Sequence, residues 1–455
     1  MEKTKFTRRS FVKMTGLGGL AVSYAPFSGN PSGKPLKVEV LSPYNLSPLS
    51  LIIDDSTCLV NMAYYGIPQF AEVFPDQYKQ DWRKLPHEIP DSFVREFGEW
   101  SIENGVKGKY SIVPFPACTG WINRFIPGWT KQELDNSLNL IREVIVPNWD
   151  IHPEMVSHTR VIDIKTGRPY PYPTPDYMEN WEWSQTKSVD ELTAYQAYAL
   201  EILKEAGLPC EGLTTPGGYG EHNQNNLALS TLEATRHVYG AEIPHYFRDA
   251  FTEKAKSVAP KVLFPSDLDG SDAKCVISII GCTDDWFGGW DGLTPGNADN
   301  FITEDLKSGR MIEVIDSSEP AIIVCHWPGI YFNGDKTGFN ILKQVKKRLD
   351  QKYDNLNWMK LSEIARYWAA KELTSISTVN NKITLKAPFS APGFTLKVNA
   401  LFRNSGIRVG GGEIKLLTRI KDKKTLKSGT WYSDKTGSVF CFDLEKGLTE
   451  ITTNY

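Results

Sequence analysis

From about residue 49 to residue 370, short apolar runs alternate with longer segments of helical spacing, and this order constrains the fold more than any other feature of the chain. Leu49 to Ile53, Tyr110 to Phe115, Cys210 to Leu213, Cys275 to Ile280 and Ala321 to Cys325 read as strands. Helical periods cover Asp91 to Asn104, Lys131 to Val146, Val189 to Ala206, Asn226 to Tyr239, Gly338 to Lys352 and Lys360 to Glu372, with Gly105, Pro147 and Gly207 as stops. Alternating strands and helices imply a parallel α/β sheet, and the length of the run favours a distorted (β/α) barrel over residues 49–375.

The flanks have a different texture. Residues 376–455 carry short strand-like runs separated by Gly- and Lys-rich turns and are assigned to a small all-β accessory domain, in which Trp431 or Tyr432 offers a surface for a sugar. Residues 26–48 are rich in Pro, Ser and Gly and are expected to form a linker or N-terminal arm. At the N-terminus, Thr7-Arg8-Arg9-Ser10-Phe11-Val12-Lys13 precedes a mild apolar stretch and Ser23-Tyr24-Ala25. Residues 1–25 thus resemble a twin-arginine signal, and the expected destination is the periplasm or the medium. That apolar stretch is too short and Gly-rich to span a bilayer. Lys and Arg total 51 against 54 Asp and Glu, so no basic field recommends nucleic acid as a partner. Seven cysteines without a CxxC pair exclude a disulfide scaffold or zinc knuckle, and the odd number leaves a thiol free unless it pairs between chains.

In a parallel α/β barrel the reactive groups stand at the carboxyl ends of the strands. Polar residues gather after the expected strands here: Asp54-Asp55, His158, Tyr219-Gly220-Glu221-His222, Asp284-Asp285-Trp286 and His326. Carboxylates and imidazoles meeting at one mouth can hold a divalent metal, or act as acid and base without one. Asp55, His158 and His326 are the strongest candidates, followed by Asp54, then Arg160, Asp285 and Trp286, then Tyr219 and His222.

The order of these groups resembles the polysaccharide deacetylase family, also called the NodB-homology or carbohydrate esterase fold. Leu51-Ile52-Ile53-Asp54-Asp55 matches its first motif, and the resemblance implies that Asp54 is a base and Asp55 a metal ligand. His158-Thr159-Arg160-Val161-Ile162 matches the second motif at His158, but Ile162 stands where a second histidine ligand belongs. His152, Glu221 or His222 are the candidates to complete the set around zinc or another divalent cation. Pro216-Gly217-Gly218-Tyr219-Gly220 echoes the third motif without its arginine, and Asp285-Trp286 matches the fourth, at the substrate. Val324-Cys325-His326 matches the fifth, which supplies a catalytic histidine, and Leu361 to Ala365 resembles the closing helix.

The export signal, the Asp-Asp start and the broken second motif are similar to non-classical members of the family, among them the oligosaccharide dehydratase of ulvan-degradation systems. This implies an oligosaccharide or polysaccharide substrate containing uronic acid and elimination of water at a terminal uronate. A cation or Arg160 would neutralise the substrate carboxylate, His326 or Tyr219 would take the C5 proton, and His222 or Glu221 would protonate the departing hydroxyl. Metal-dependent deacetylation is the second expectation and a non-catalytic carbohydrate-binding protein the third.

Overall fold

The computed structural model describes residues 36–379, 382–402 and 416–452; the signal expected over residues 1–25 lies outside them. In chain order the strands are β1 (Val38–Val40), β2 (Ser47–Asp54), β3 (Gly108–Ser111), β4 (Trp149–His152), β5 (Ile162–Asp163), β6 (Arg168–Pro169), β7 (Gly212–Thr214), β8 (His245–Ala250), β9 (Lys261–Ser266) and β10 (Lys274–Gly281). They continue with β11 (Ala321–His326), β12 (Leu356–Trp358), β13 (Ser375–Val379), β14 (Lys382–Ala387), β15 (Ala391–Val398), β16 (Thr418–Arg419), β17 (Thr430–Asp434), β18 (Gly437–Leu444) and β19 (Gly447–Thr452).

One parallel sheet has the order β11-β2-β3-β4, with β12 beside the start of β2. A second has the order β7-β8-β10-β9, parallel except for the antiparallel β9. The expected closed barrel is therefore corrected: among the described residues the strands form two sheets that approach at two seams. At the first, Thr214 N–H donates to Pro153 O (3.1 Å). Pro153 has no N–H to donate across this seam, and among the described residues the pairing there amounts to the isolated parallel bridge Glu154–Thr214. At the second, Cys282 N–H donates to Ile322 O (2.7 Å). Here the early part of β10 is already occupied by β9, from Lys274 to Ser278, and β11 meets only the chain beyond Gly281.

The apolar character of these strands follows from burial on both faces. In β2 every residue after Ser47 is buried, and Ala321 to Cys325 of β11 are buried too. The helices that cover them fall close to the expected bounds: Asp91–Glu103, Val189–Glu205, Thr337–Lys352 and Leu361–Leu373. Ser188 and Glu191 cap the second of these reciprocally, satisfying backbone donors at its start. The helix Met62–Val73, which contains Pro68, was not expected, nor was β8. Tyr110 to Phe115 is displaced as a strand, because β3 runs from Gly108 to Ser111.

The C-terminal strands form two smaller sheets, β1-β15-β18-β17-β16 and β13-β14-β19, antiparallel except where β16 meets β17. Val38–Val40, inside the expected arm, is an edge strand paired with β15. Trp431 and Tyr432 are both buried, with Trp431 packed against Phe440, so they are core rather than a sugar-facing surface. Residues 403–415 of the expected all-β domain lie outside the described residues. All seven cysteines are free thiols. No described helix is long and apolar enough to cross a membrane.

Candidate functional site

Because β2 and β11 are parallel, their carboxyl ends lie at the same end of the sheet. Asp54, the last residue of β2, is in register with His326, the last residue of β11. Asp54 is buried and bonded to the ammonium of Lys109 on β3, which also donates to Ser111 Oγ (2.7 Å) and Ile53 O (3.2 Å). Burial pushes the Asp54 carboxyl up to about 6, and the charge of Lys109 opposes that rise. Lys109 is wholly buried; a charge inside the short run Gly108 to Ser111 was the available signal, and it was missed.

The next residue turns the chain. Asp55 has φ 57°, a left-handed conformation that costs a non-glycine residue roughly 1–3 kcal/mol. Its N–H is held by Glu154 Oε2 (2.9 Å). Its carboxylate Oδ1 lies 2.7 Å from His158 Nε2, and Glu154 Oε1 lies 3.4 Å from the same nitrogen. Asp55, Glu154 and His158 are thus a buried cluster whose ligand atoms lie within 4.8 Å of one another. His158 was expected directly after a strand, but it stands on the loop beyond β4, where Met155 and His158 both have positive φ. Glu179 secures that loop by accepting from the N–H groups of Ser157 (3.0 Å) and His158 (2.6 Å) and from the Tyr195 hydroxyl. Burial raises the Glu179 carboxyl to about 7, against those hydrogen bonds.

The cluster fits a divalent cation. Asp55 Oδ1 is buried and close to His158 Nε2, yet no aligned hydrogen bond satisfies it. A carboxylate oxygen and an imidazole nitrogen converging without a hydrogen bond, with a second carboxylate beside them, is the donor set of a cation site. Burial pulls the His158 imidazole down, but Asp55 and Glu154 together hold it well above an ordinary histidine. Glu154, not foreseen, adds a second carboxylate to the cluster, whereas Ile162 adds none. Ile162 itself is buried in the apolar core, its N–H bonded to the Tyr195 hydroxyl (3.0 Å).

Opposite this cluster, His326 Nδ1 lies 3.1 Å from Asp285 Oδ2, and His326 N–H donates to Asp285 Oδ1 (3.3 Å). Burial disfavours the imidazolium, but Asp285 first and then Asp55 and Asp54 raise His326 to about 10. These surroundings favour a proton on His326 at neutral pH, whereas the expectation had it as a base. Trp286, half-buried, packs edge-on against Phe301 (5.4 Å).

The remaining candidates are not brought into this group. Arg160 is paired with Glu72 on the helix Met62–Val73, so it is not a free carboxylate clamp. Tyr219 is wholly buried near Trp183, and burial raises its phenol far above the usual range, so it is core and not a base. His222 and Glu221 are exposed; the His222 N–H bonds Gln185 Oε1 (2.8 Å) and Glu221 pairs with Arg248. His152, expected as a possible third ligand, faces His245 instead (Nε2 to Nε2, 3.0 Å), near Asp150. Burial keeps both imidazoles well below an ordinary histidine, with Lys109 adding to the effect on His152. Both Asp150 oxygens accept from Ser362, at 2.7 and 2.9 Å. With Asp150 the two imidazoles form a second buried group whose ligand atoms also lie within 4.8 Å of one another.

Sequence reasoning also missed an aromatic wall beside His158. The Phe70 ring lies 6.2 Å from the imidazole, and Phe70 packs against Trp181 (5.6 Å) and Trp290 (6.1 Å). Phe74 and Tyr78 complete it against Trp181, at 4.8 and 6.1 Å.

No family model and no curated protein matches the chain. Among solved structures it is similar to a probable polysaccharide deacetylase from Pseudomonas aeruginosa PAO1, with 12% identity over 72% of this chain and 92% of that one and a TM-score of 0.37. It is also similar to an alpha-L-fucosidase (10% identity, 91% and 98% covered, TM-score 0.30) and to an endo-beta1,6-glucanase (10% identity, 94% and 94% covered, TM-score 0.26). Likenesses this distant carry no argument about activity; the site's own geometry does.

Proposed function

We propose that the chain is an exported carbohydrate-active enzyme whose site combines a cation-holding triad, Asp55, Glu154 and His158, with the base Asp54 and the acid His326. The observation that carries this reading is the meeting of the triad with a proton-bearing His326–Asp285 pair and Asp54 at one end of the parallel strands. Asp54, ionised at neutral pH, accepts a proton. His326, protonated there, delivers one to a leaving oxygen. Asp54, Asp55, Glu154 and Asp285 outnumber the cations Lys109, His158 and His326, so the site is net negative and an acidic sugar needs more positive charge before it can enter. A divalent cation on the triad would supply that charge and stabilise a developing oxyanion.

The favoured reaction is water elimination at a terminal uronate. Asp54 takes the C5 proton, the C4–O bond breaks as the C4–C5 double bond forms, and His326 protonates the departing hydroxyl. The three-membered ligand set favours a second reading, deacetylation, because Glu154 adds a second carboxylate to a cluster in which Ile162 supplies no ligand. Mass analysis of products from uronate oligosaccharides and from acetylated glycans decides between them. Loss of one water with new ultraviolet absorbance supports elimination. Acetate release without absorbance establishes deacetylation, and failure to alter either substrate overturns the enzyme reading.

A further inference from the structure

The expected carboxylate clamp, Arg160, is tied to Glu72, which leaves the question of what recognises an acidic sugar. A different arginine is better placed. Between β8 and β10 the register slips: Phe247 pairs with Ile279 and Asp249 with Ile280, leaving Arg248 as the extra residue of a β-bulge. Bulges re-aim side chains and recur next to active sites. This one lies near the carboxyl end of a parallel strand, and the Phe247 carbonyl accepts from Thr215 N–H (3.2 Å) and Oγ1 (3.3 Å), which fixes it.

The Arg248 side chain is 12% exposed. Among the described residues its Nε is buried with no hydrogen-bond partner, and its Nη2 has a 3.4 Å ion pair with Glu221 Oε2, on a side chain that is 54% exposed. A buried guanidinium nitrogen without an acceptor is costly, and a guanidinium fork matches a carboxylate with two parallel hydrogen bonds. Arg248 and the aromatic wall border the same loop. A Cβ on Gly218 would lie 3.5 Å from Glu221 Oε2 and 3.8 Å from Trp181 Cα, and Gly218 N–H donates to Asn180 O. From Trp181 the wall continues through Phe70 to His158. Aromatic faces of this kind stack on the apolar face of a sugar ring, beside a group that can grip its charge.

We propose that Arg248 is the carboxylate anchor of an acidic-sugar subsite, with Trp181 as its ring platform and Glu221 as a placeholder that the substrate carboxylate displaces. This rests on the carbohydrate-active reading above and names its substrate class. Calorimetric binding tests it with two probes: a trisaccharide bearing a terminal glucuronate, and the same trisaccharide with that carboxyl reduced to the alcohol. The expected preference of the wild type for the acidic probe is at least about tenfold. Arg248→Gln abolishes that preference and leaves the reduced probe unchanged, Glu221→Gln keeps or strengthens it, and Trp181→Ala weakens both probes. Equal binding of the two probes by the wild type, or a preference that survives in Arg248→Gln, overturns the anchor and leaves the carbohydrate reading standing. Failure of the wild type to bind either probe overturns both.

Discussion

Replacing Asp285 with Asn removes the carboxylate that does most to keep a proton on His326. The side chains are nearly isosteric, and Asp285 and His326 are 14% and 26% exposed, so solvent screens their interaction little. His326 stands at about 10 rather than the 6.5 of an ordinary histidine. At ~1.4 kcal/mol per pH unit, that difference is roughly 5 kcal/mol in favour of the imidazolium, shared among Asp285, Asp55 and Asp54 with burial working against them. Loss of the nearest partner should remove at least about 2 kcal/mol of it, which lowers the titration by more than about one pH unit. Because the folded-state pKa is raised, the stabilisation is fully present below about 6.5 and is lost as pH rises through about 10. Asp285→Asn is therefore expected to be less stable than the wild type at pH 7 and to converge with it in alkali. Histidine-selective NMR is suited to a chain with seven histidines, with the His326 signal assigned by its loss in His326→Gln. In the wild type the His326 resonances should remain those of imidazolium through pH 8, and in Asp285→Asn they should titrate at a clearly lower pH. An unchanged titration would refute the assignment of His326 as an acid held by Asp285.

Three further outcomes are expected. Lys109→Met strands the buried Asp54 carboxylate and should cost about 3–5 kcal/mol in denaturant unfolding; a loss below about 1 kcal/mol would contradict the buried pair. Gly212→Ala should destabilise by about 1–3 kcal/mol, since a Cβ there would lie 2.5 Å from His152 Nε2 and 2.7 Å from His245 Nε2; a neutral result in thermal unfolding would show that the imidazole pair yields easily. Deleting the sequence through Val40 removes β1 from its ladder with β15 and should lower the unfolding temperature, whereas an unchanged one would make that strand dispensable.

The site was legible where a reactive group ends an apolar strand. Asp54 and His326 are the last residues of β2 and β11, and Asp55 follows at once. Asp285 follows β10 closely enough to have been placed at the same mouth. Glu154 was not legible, because the second motif points four residues beyond His158, to Ile162, whereas the loop with positive φ at Met155 brings a carboxylate from four residues before it. Lys109 was hidden because the strand was expected from Tyr110, two residues after β3 begins. Tyr219 lies in a Gly-rich stretch that reads as solvent-facing, yet Trp183 and the neighbouring helices bury it. Closure of the sheets failed on two local facts, the pairing beside Pro153 that amounts to the isolated bridge Glu154–Thr214 and the antiparallel partner that β10 acquires from β9. Neither follows from the alternation of strands and helices.

The central claim is that Asp55, Glu154 and His158 hold a cation where Asp54 and His326 work. Titrating metal-stripped protein with zinc in a calorimeter tests it most directly, beside the double variant Glu154→Ala/His158→Ala. The account predicts uptake of zinc by the wild type and loss of about one equivalent in the variant, because three converging ligands make the site. A wild type that takes up no zinc, or a double variant that binds it as the wild type does, would contradict the claim.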